Sequence, residues 1–354
     1  MTVLYIALAI LLFGVLVGVH ELGHFAAAKA CGVKVEEFAL GMGPAILQKQ
    51  KGETVYSLRC IPFGGFCAMA GEDEASDDPR AFMNQAAWKR IIILVAGAAM
   101  NFLLGLLIVI ILYSSAYAFR SAEITGFMDG CPYEGAEAMQ AGDTFYSIDG
   151  QRIYLVSDVS SFLMRGDGVY DIVMLRDGEK VELKDFALTT KTYAEYANEG
   201  PKYGFVFGYT EATFGTKLEY TWNTTLEFSR LVWLGLGDLI NGKVGLKDMS
   251  GPVGIVDMMN EVGQQAESAK AAADNLLYIS AFIAVNLAIM NMLPIPALDG
   301  GRVFLMIVTV IIEAVSRKKL DPKYEGYIHL GGMVLLLGLM ALVMYNDIAK
   351  LITG

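Results

Sequence analysis

Four stretches of the chain stay apolar for roughly the ~20 residues that a helix needs to cross a bilayer core. The first runs from Val3 to Val19 and leads into His20–His24, the second covers Ile91 to Phe119, and the fourth covers Ile328 to Tyr345. The third, Leu276 to Val315, is longer than one span and carries a break rich in Pro and Gly. Between the first two stretches the hydrophobic period falls to two. Val33–Phe38 alternates, Gly41-Met42-Gly43-Pro44 and Lys51-Gly52 mark turns, and Thr54–Ile61 alternates again. This predicts a small antiparallel β-sheet over residues 33–68, although Pro62-Phe63-Gly64-Gly65-Phe66 is too rich in Pro and Gly for a regular central strand. Residues 121–190 carry Asp149-Gly150 and Asp177-Gly178 as hairpin turns, with a helix over Val156–Met164, and predict five or six strands with one or two helices. Thr216–Ile240 reads as an amphipathic aromatic helix and Gln264–Asp274 as a polar one. The fold expected is therefore a polytopic α-helical membrane protein with four transmembrane helices. Residues 1–119 form the first half of its membrane core, 120–192 a β/α domain, 193–275 a linker with an amphipathic helix, and 276–354 the second half.

Composition agrees with a membrane protein: 55% of the 354 residues are hydrophobic and only 18% charged, against ~25% charged in soluble domains. Charge then orients the spans. Residues 120–275 hold 13 Lys+Arg and 24 Asp+Glu, a net of −11 that accounts for the whole charge of the chain. Lys29, Lys34, Lys49 and Lys51, then Lys89 and Arg90, then Arg317–Lys323 all flank the same side of the four spans. The positive-inside rule makes that side cytoplasmic. The acidic 120–275 segment and both termini are then extracytoplasmic, and the 33–68 sheet is cytoplasmic. The first apolar run leads into His20–His24 rather than a small-residue cleavage site, so it is expected to be retained. The spacing of Cys31, Cys60, Cys67 and Cys131 gives no disulfide framework. The partners expected of a chain that spans the bilayer are membrane lipid and other membrane proteins, and no nucleic acid.

Polar chemistry inside apolar runs is costly and points to function. His20-Glu21-Leu22-Gly23-His24 places two imidazoles at i and i+4 on one helix face, with a carboxylate beside them. That pattern suits zinc, with Glu21 as the base for a water molecule. Two of the three histidines in the chain make this motif. The broken third region contains Asn291-Met292-Leu293-Pro294-Ile295-Pro296-Ala297-Leu298-Asp299-Gly300-Gly301. Irregular backbone at that depth needs protein or a water-filled cavity around it. Taken alone, Asp299 reads equally well as a helix cap; beside two histidines that lack a third ligand it reads as that ligand. Asn291 either donates to a developing oxyanion or caps the broken helix. Asn101, four residues after Gly97, either packs or lies near substrate. His329 reads as an interfacial residue.

Together these segments resemble the site-2 protease family of intramembrane zinc metalloproteases, in its bacterial branch with a single PDZ domain. The resemblance rests on His20–His24, Ile61–Phe66, Gly97–Asn101, Ser250–Ile255 and Asn291–Gly301, and it covers nearly the whole chain. It implies Zn²⁺ as cofactor and His20, His24 and Asp299 as its ligands, with Glu21 as catalytic base in an enzyme of the bacterial inner membrane. It also implies a PDZ-like domain outside, open to peptide C-termini, and single-span membrane proteins as substrates, such as anti-sigma factors or signal-peptide remnants already cut once. Pro62, Phe63, Gly64, Gly65 and Phe66 are the expected strand-binding edge for an unwound substrate. The alternative is a non-catalytic receptor or scaffold with a peptide-binding PDZ domain and a structural zinc, which would call for a fourth protein ligand.

Overall fold

The computed structural model describes residues 2–72, 76–135, 138–196, 200–245, 251–317 and 323–353. In chain order the elements are α1 (Thr2–Cys31), β1 (Val35–Lys51), β2 (Thr54–Met69), α2 (Ala87–Ser114), β3 (Ala118–Phe127), β4 (Thr144–Ile148), β5 (Gln151–Arg152) and α3 (Val156–Arg165). There follow β6 (Val169–Arg176), β7 (Glu179–Ala187), β8 (Phe205–Glu211), α4 (Phe214–Ile240), α5 (Pro252–Gln265), α6 (Ala269–Asn291), α7 (Asp299–Ser316) and α8 (Lys323–Thr353). They form two compact units, residues 1–112 with 228–354, and residues 113–227.

Among the described residues of the first unit, four helices are long and apolar enough to cross a membrane: Val3–Cys31, Ala87–Ser114, Ala269–Asn291 and Gly326–Lys350. The second is shorter at its end than the sequence suggests. Its helix stops at Ser114 and Phe119 already belongs to β3. The third apolar region resolves into α6 and α7, with residues 292–298 between them. Two clusters pack the unit. Ala28, Val33, Cys67, Phe82, Leu94 and Met306 join the end of α1 to the sheet, α2 and α7. Ala9, Leu16, Met259, Leu276 and Ile283 join α1 to α5 and α6. The predicted polar helix over Gln264–Asp274 is interrupted, because Ser268 caps α6 by accepting the Ala271 N–H. An N-cap hydroxyl satisfies a donor that the first helical turn otherwise leaves open.

β1 and β2 pair antiparallel, and Phe38 pairs with both Cys67 and Tyr56. The first half of β1 thus lies between the two halves of β2. The chain reverses at Gly41, Gly43 and Gly64, whose φ values of +85°, +80° and +85° suit glycine. The Pro62–Phe66 stretch is part of β2, as a shifted register rather than a regular central run. Gly65–Met69 takes ladder partners from β1 on one side only.

The second unit is an antiparallel sheet in the order β7-β6-β4-β3-β8, with β5 on β4. Asp149-Gly150 and Asp177-Gly178 make its tight turns with positive φ at all four residues, as a two-residue hairpin loop requires. The sheet does not end at residue 192: Phe119 of β3 pairs with Thr210 of β8, and Phe127 with Phe205. The stretch read as a linker supplies an edge strand and two packed helices. Its alternating segment, Phe205–Glu211, is short, and only β3 gives it a partner.

Candidate metal centre

α1 is a continuous helix through the motif, so His20 and His24 stand one turn apart with ring centroids 4.7 Å from each other. The His24 Nδ1–H donates to the Ile93 carbonyl at 2.8 Å. That bond fixes the ring and leaves its Nε2 lone pair free, as the outer partner of a metal-binding histidine does. Leu298 is the N-cap of α7, so Asp299 stands one position inside the helix and its carboxylate is released from capping. Asp299 Oδ2 lies 3.2 Å from His20 Nε2 and 3.2 Å from His24 Nε2. The two Nε2 atoms are 3.1 Å apart.

These three ligand atoms lie within 4.8 Å of one another, and Asp299 Oδ2 is buried without a hydrogen-bond partner. Lone pairs crowded this closely repel unless a cation sits among them. Two imidazole nitrogens and one carboxylate are also the donor set of a zinc site that keeps a position open. The residues present therefore fit a zinc ion. Among the described residues, this group contains three such side chains and no fourth.

Other residues named from the sequence gather around the same point. The Asn291 amide nitrogen lies 3.5 Å from both ring nitrogens of His20. Glu21 sits against β2, where a Cβ on Gly65 would come within 3.2 Å of its Cγ. Phe66 is covered by the Arg59 guanidinium at 4.9 Å from its ring centre; Pro62 and Phe63 lie on the same strand. Gly97 of α2 touches both histidines: a Cβ there would come 2.3 Å from His24 Nε2 and 2.8 Å from His20 Cε1. Asn101, one turn further along α2, is wholly buried and neither amide atom has a partner. Beyond Ala98 and Met292, an apolar cavity of about 370 Å³ opens between α2, α4 and α6, with Phe102 and Trp233 in its wall.

Two contributions escaped the sequence reading. Ile93 offers only a backbone carbonyl, for which no residue type is a signal. His329 does not join the ligand group; its Nδ1 accepts the Ala297 N–H at 3.1 Å. A histidine inside an apolar run was the available cue.

A helix-borne His-Glu-x-x-His converging with a carboxylate from a broken helix defines a membrane metalloprotease of the zinc-dependent class. The chain belongs to peptidase family M50, the site-2 protease family, whose model matches residues 8–339. It is 37% identical over 349 residues to a Clostridium perfringens protein, with 98% of each chain covered. Zinc metalloprotease RasP of Bacillus licheniformis is 29% identical, covering 97% of this chain and 98% of that protein. Regulator of sigma-W protease RasP of Bacillus subtilis is 27% identical, covering 97% of each.

Proposed function

We propose that this zinc metalloprotease cleaves single-span membrane proteins within or near their transmembrane helix. The observation that carries the reading is the approach of Asp299 Oδ2 to within 3.2 Å of both histidine nitrogens. His20, His24 and Asp299 hold the metal. When bound, zinc supplies Lewis acidity that polarises a carbonyl and lowers the pKa of a water molecule toward ~7. Glu21, next to His20 on the helix, takes the proton from the attacking water and delivers it to the leaving amine. Asn291 reaches toward the same point and donates to the oxyanion that develops on the scissile carbonyl. Asn101 has two unsatisfied amide atoms one turn from Gly97, and holds substrate backbone or the water that accompanies it.

A transmembrane helix hides its carbonyls in internal hydrogen bonds, so the substrate must unwind before attack. The Gly65–Met69 segment, paired on one side and lying against Glu21, offers backbone for an added strand. Pro62, Phe63, Gly64, Gly65 and Phe66 belong to this strand-binding edge. The apolar cavity past Ala98 receives a substrate side chain. Residues 113–227 are read as the PDZ-like unit, extracytoplasmic together with both termini, where β8 at the sheet edge accepts a peptide C-terminus or the domain admits substrates by size. That the Bacillus subtilis relative is a regulator of sigma-W supports substrates from regulated proteolysis; the kinds proposed are anti-sigma factors or signal-peptide remnants already cut at a first site. The scaffold reading is disfavoured by a donor set of three side chains among the described residues, since a closed structural zinc site takes four.

Glu21→Gln tests the assignment of the base. The purified variant is expected to bind zinc as the wild type does and to cleave a single-span substrate at least ~100-fold more slowly, at the low end of what general acid–base catalysis contributes. Cleavage at the wild-type rate would sink the mechanism.

A further inference from the structure

The segment that presents Asp299 is gripped from two sides. On one side, α7 packs its first turn onto the loop so closely that a Cβ on Gly301 would come 2.0 Å from the Ile295 carbonyl oxygen. On the other, α8 brings His329 and Gly332, one helical turn apart and on one face. His329 Nδ1 accepts the Ala297 N–H at 3.1 Å. A Cβ on Gly332 would come 2.4 Å from Pro296 Cβ and 2.7 Å from its carbonyl oxygen. Ala297 is held at φ +76°, a left-handed conformation that side-chain-bearing residues adopt only where the surroundings over-determine it. Asp299 follows two residues later. Only 6% of the apolar stretch of α8 is buried, so few packing contacts back up this polar one.

We propose that His329 is a positioning residue for Asp299: by accepting the Ala297 N–H it fixes the left-handed turn that aims the Asp299 carboxylate at His20 and His24. Gly332 permits the approach of α8 that this bond needs. The accepting Nδ1 places the ring proton on Nε2, so a neutral imidazole does the holding. The inference rests on the proposal that Asp299 is a metal ligand, and deepens it by assigning the residue that orients that ligand. Partners of this kind commonly change metal affinity by about 10- to 100-fold when removed.

The test uses the purified full chain in detergent, with zinc affinity measured by chelator competition and ligand geometry by the absorption bands of Co²⁺ bound in place of zinc. His329→Leu is expected to weaken zinc about 10- to 100-fold and to shift the Co²⁺ bands. His329→Asn places an amide oxygen where Nδ1 stands, and is expected to restore both. Gly332→Ala is expected to weaken zinc as well, whereas Gly331→Ala, with nothing within 4 Å of its added carbon, leaves affinity unchanged. Wild-type affinity and bands in His329→Leu would overturn the proposal, as would an equal loss in the Leu and Asn variants. If His329→Leu fails to fold, the pair at Gly332 and Gly331 decides: equal affinities there overturn it. Asp299→Ala separates the two readings. Undiminished zinc binding in that variant defeats the ligand assignment itself, whereas its loss beside an unaffected His329→Leu defeats the positioning role alone.

Discussion

At position 97 the space for a side chain is already taken by the two histidines. In sequence Gly97-Ala98-Ala99 reads as a run of small residues suited to close helix packing, and the structure makes part of the packing partner of Gly97 the imidazole pair itself. Alanine is the better helix former by up to ~1 kcal/mol, so local energetics favour Gly97→Ala. A Cβ 2.3 Å from His24 Nε2 forbids it without moving the ring. Gly97→Ala is therefore expected to weaken zinc at least ~10-fold, as disturbing the groups that orient a metal ligand does, while helix content by circular dichroism is unchanged. Unaltered zinc affinity would show that the ring tolerates the shift. Gly23 has the matching role on α1, since a Cβ there would lie 2.4 Å from the Ala96 carbonyl oxygen. The motif residues were legible from their i, i+4 spacing. Their need for glycine opposite was not, because sequence carries no record of which helix crosses at that point.

The elements around the site are tied by polar contacts between segments far apart in the chain. Asp347, near the end of α8, is 3% exposed and accepts the N–H groups of Gly251 and Gly254 at 3.0 and 2.9 Å. It thereby caps the first turn of α5 from another helix, and an anion suits a helix N-terminus. Asp347→Leu is expected to destabilise the first unit by about 2 kcal/mol, the upper range for losing an N-cap. A melting temperature in detergent equal to that of the wild type would refute the capping role. Sequence placed α8 as the fourth apolar run, but it assigned no helix to residues 252–263 and gave no sign that α8 caps one there. The same holds for β8. Its residues alternate weakly, and the strand exists by pairing with β3, 91 residues earlier in the register of Phe119 and Thr210. Turn signals fared better: Asp149-Gly150 and Asp177-Gly178 adopt the positive φ values that their composition suggests, because a two-residue turn is decided by the residues in it.

At the scale of the whole molecule the charge distribution makes the testable statement. The topology proposed from charge puts the acidic 120–275 segment and the basic loops on opposite faces of the membrane. With Cys131 replaced by Ser, a cysteine introduced at exposed Glu179 is expected to react with a membrane-impermeant maleimide on intact cells. Exposed Cys60 is expected to react only after permeabilisation. The reverse pattern would invert the topology. Sequence by itself determined the four apolar helices, the small β1–β2 sheet, the tight turns and the residue types at the site, because each depends on periodicity or conformational preference within a few neighbouring residues. Tertiary structure decided which of those residues meet. It brought Asp299 to His20 and His24 across more than 270 positions of chain, set Gly97 against the rings, and latched His329 to Ala297. Such contacts depend on where helices cross, and that is fixed by the packing of whole faces rather than by any local pattern.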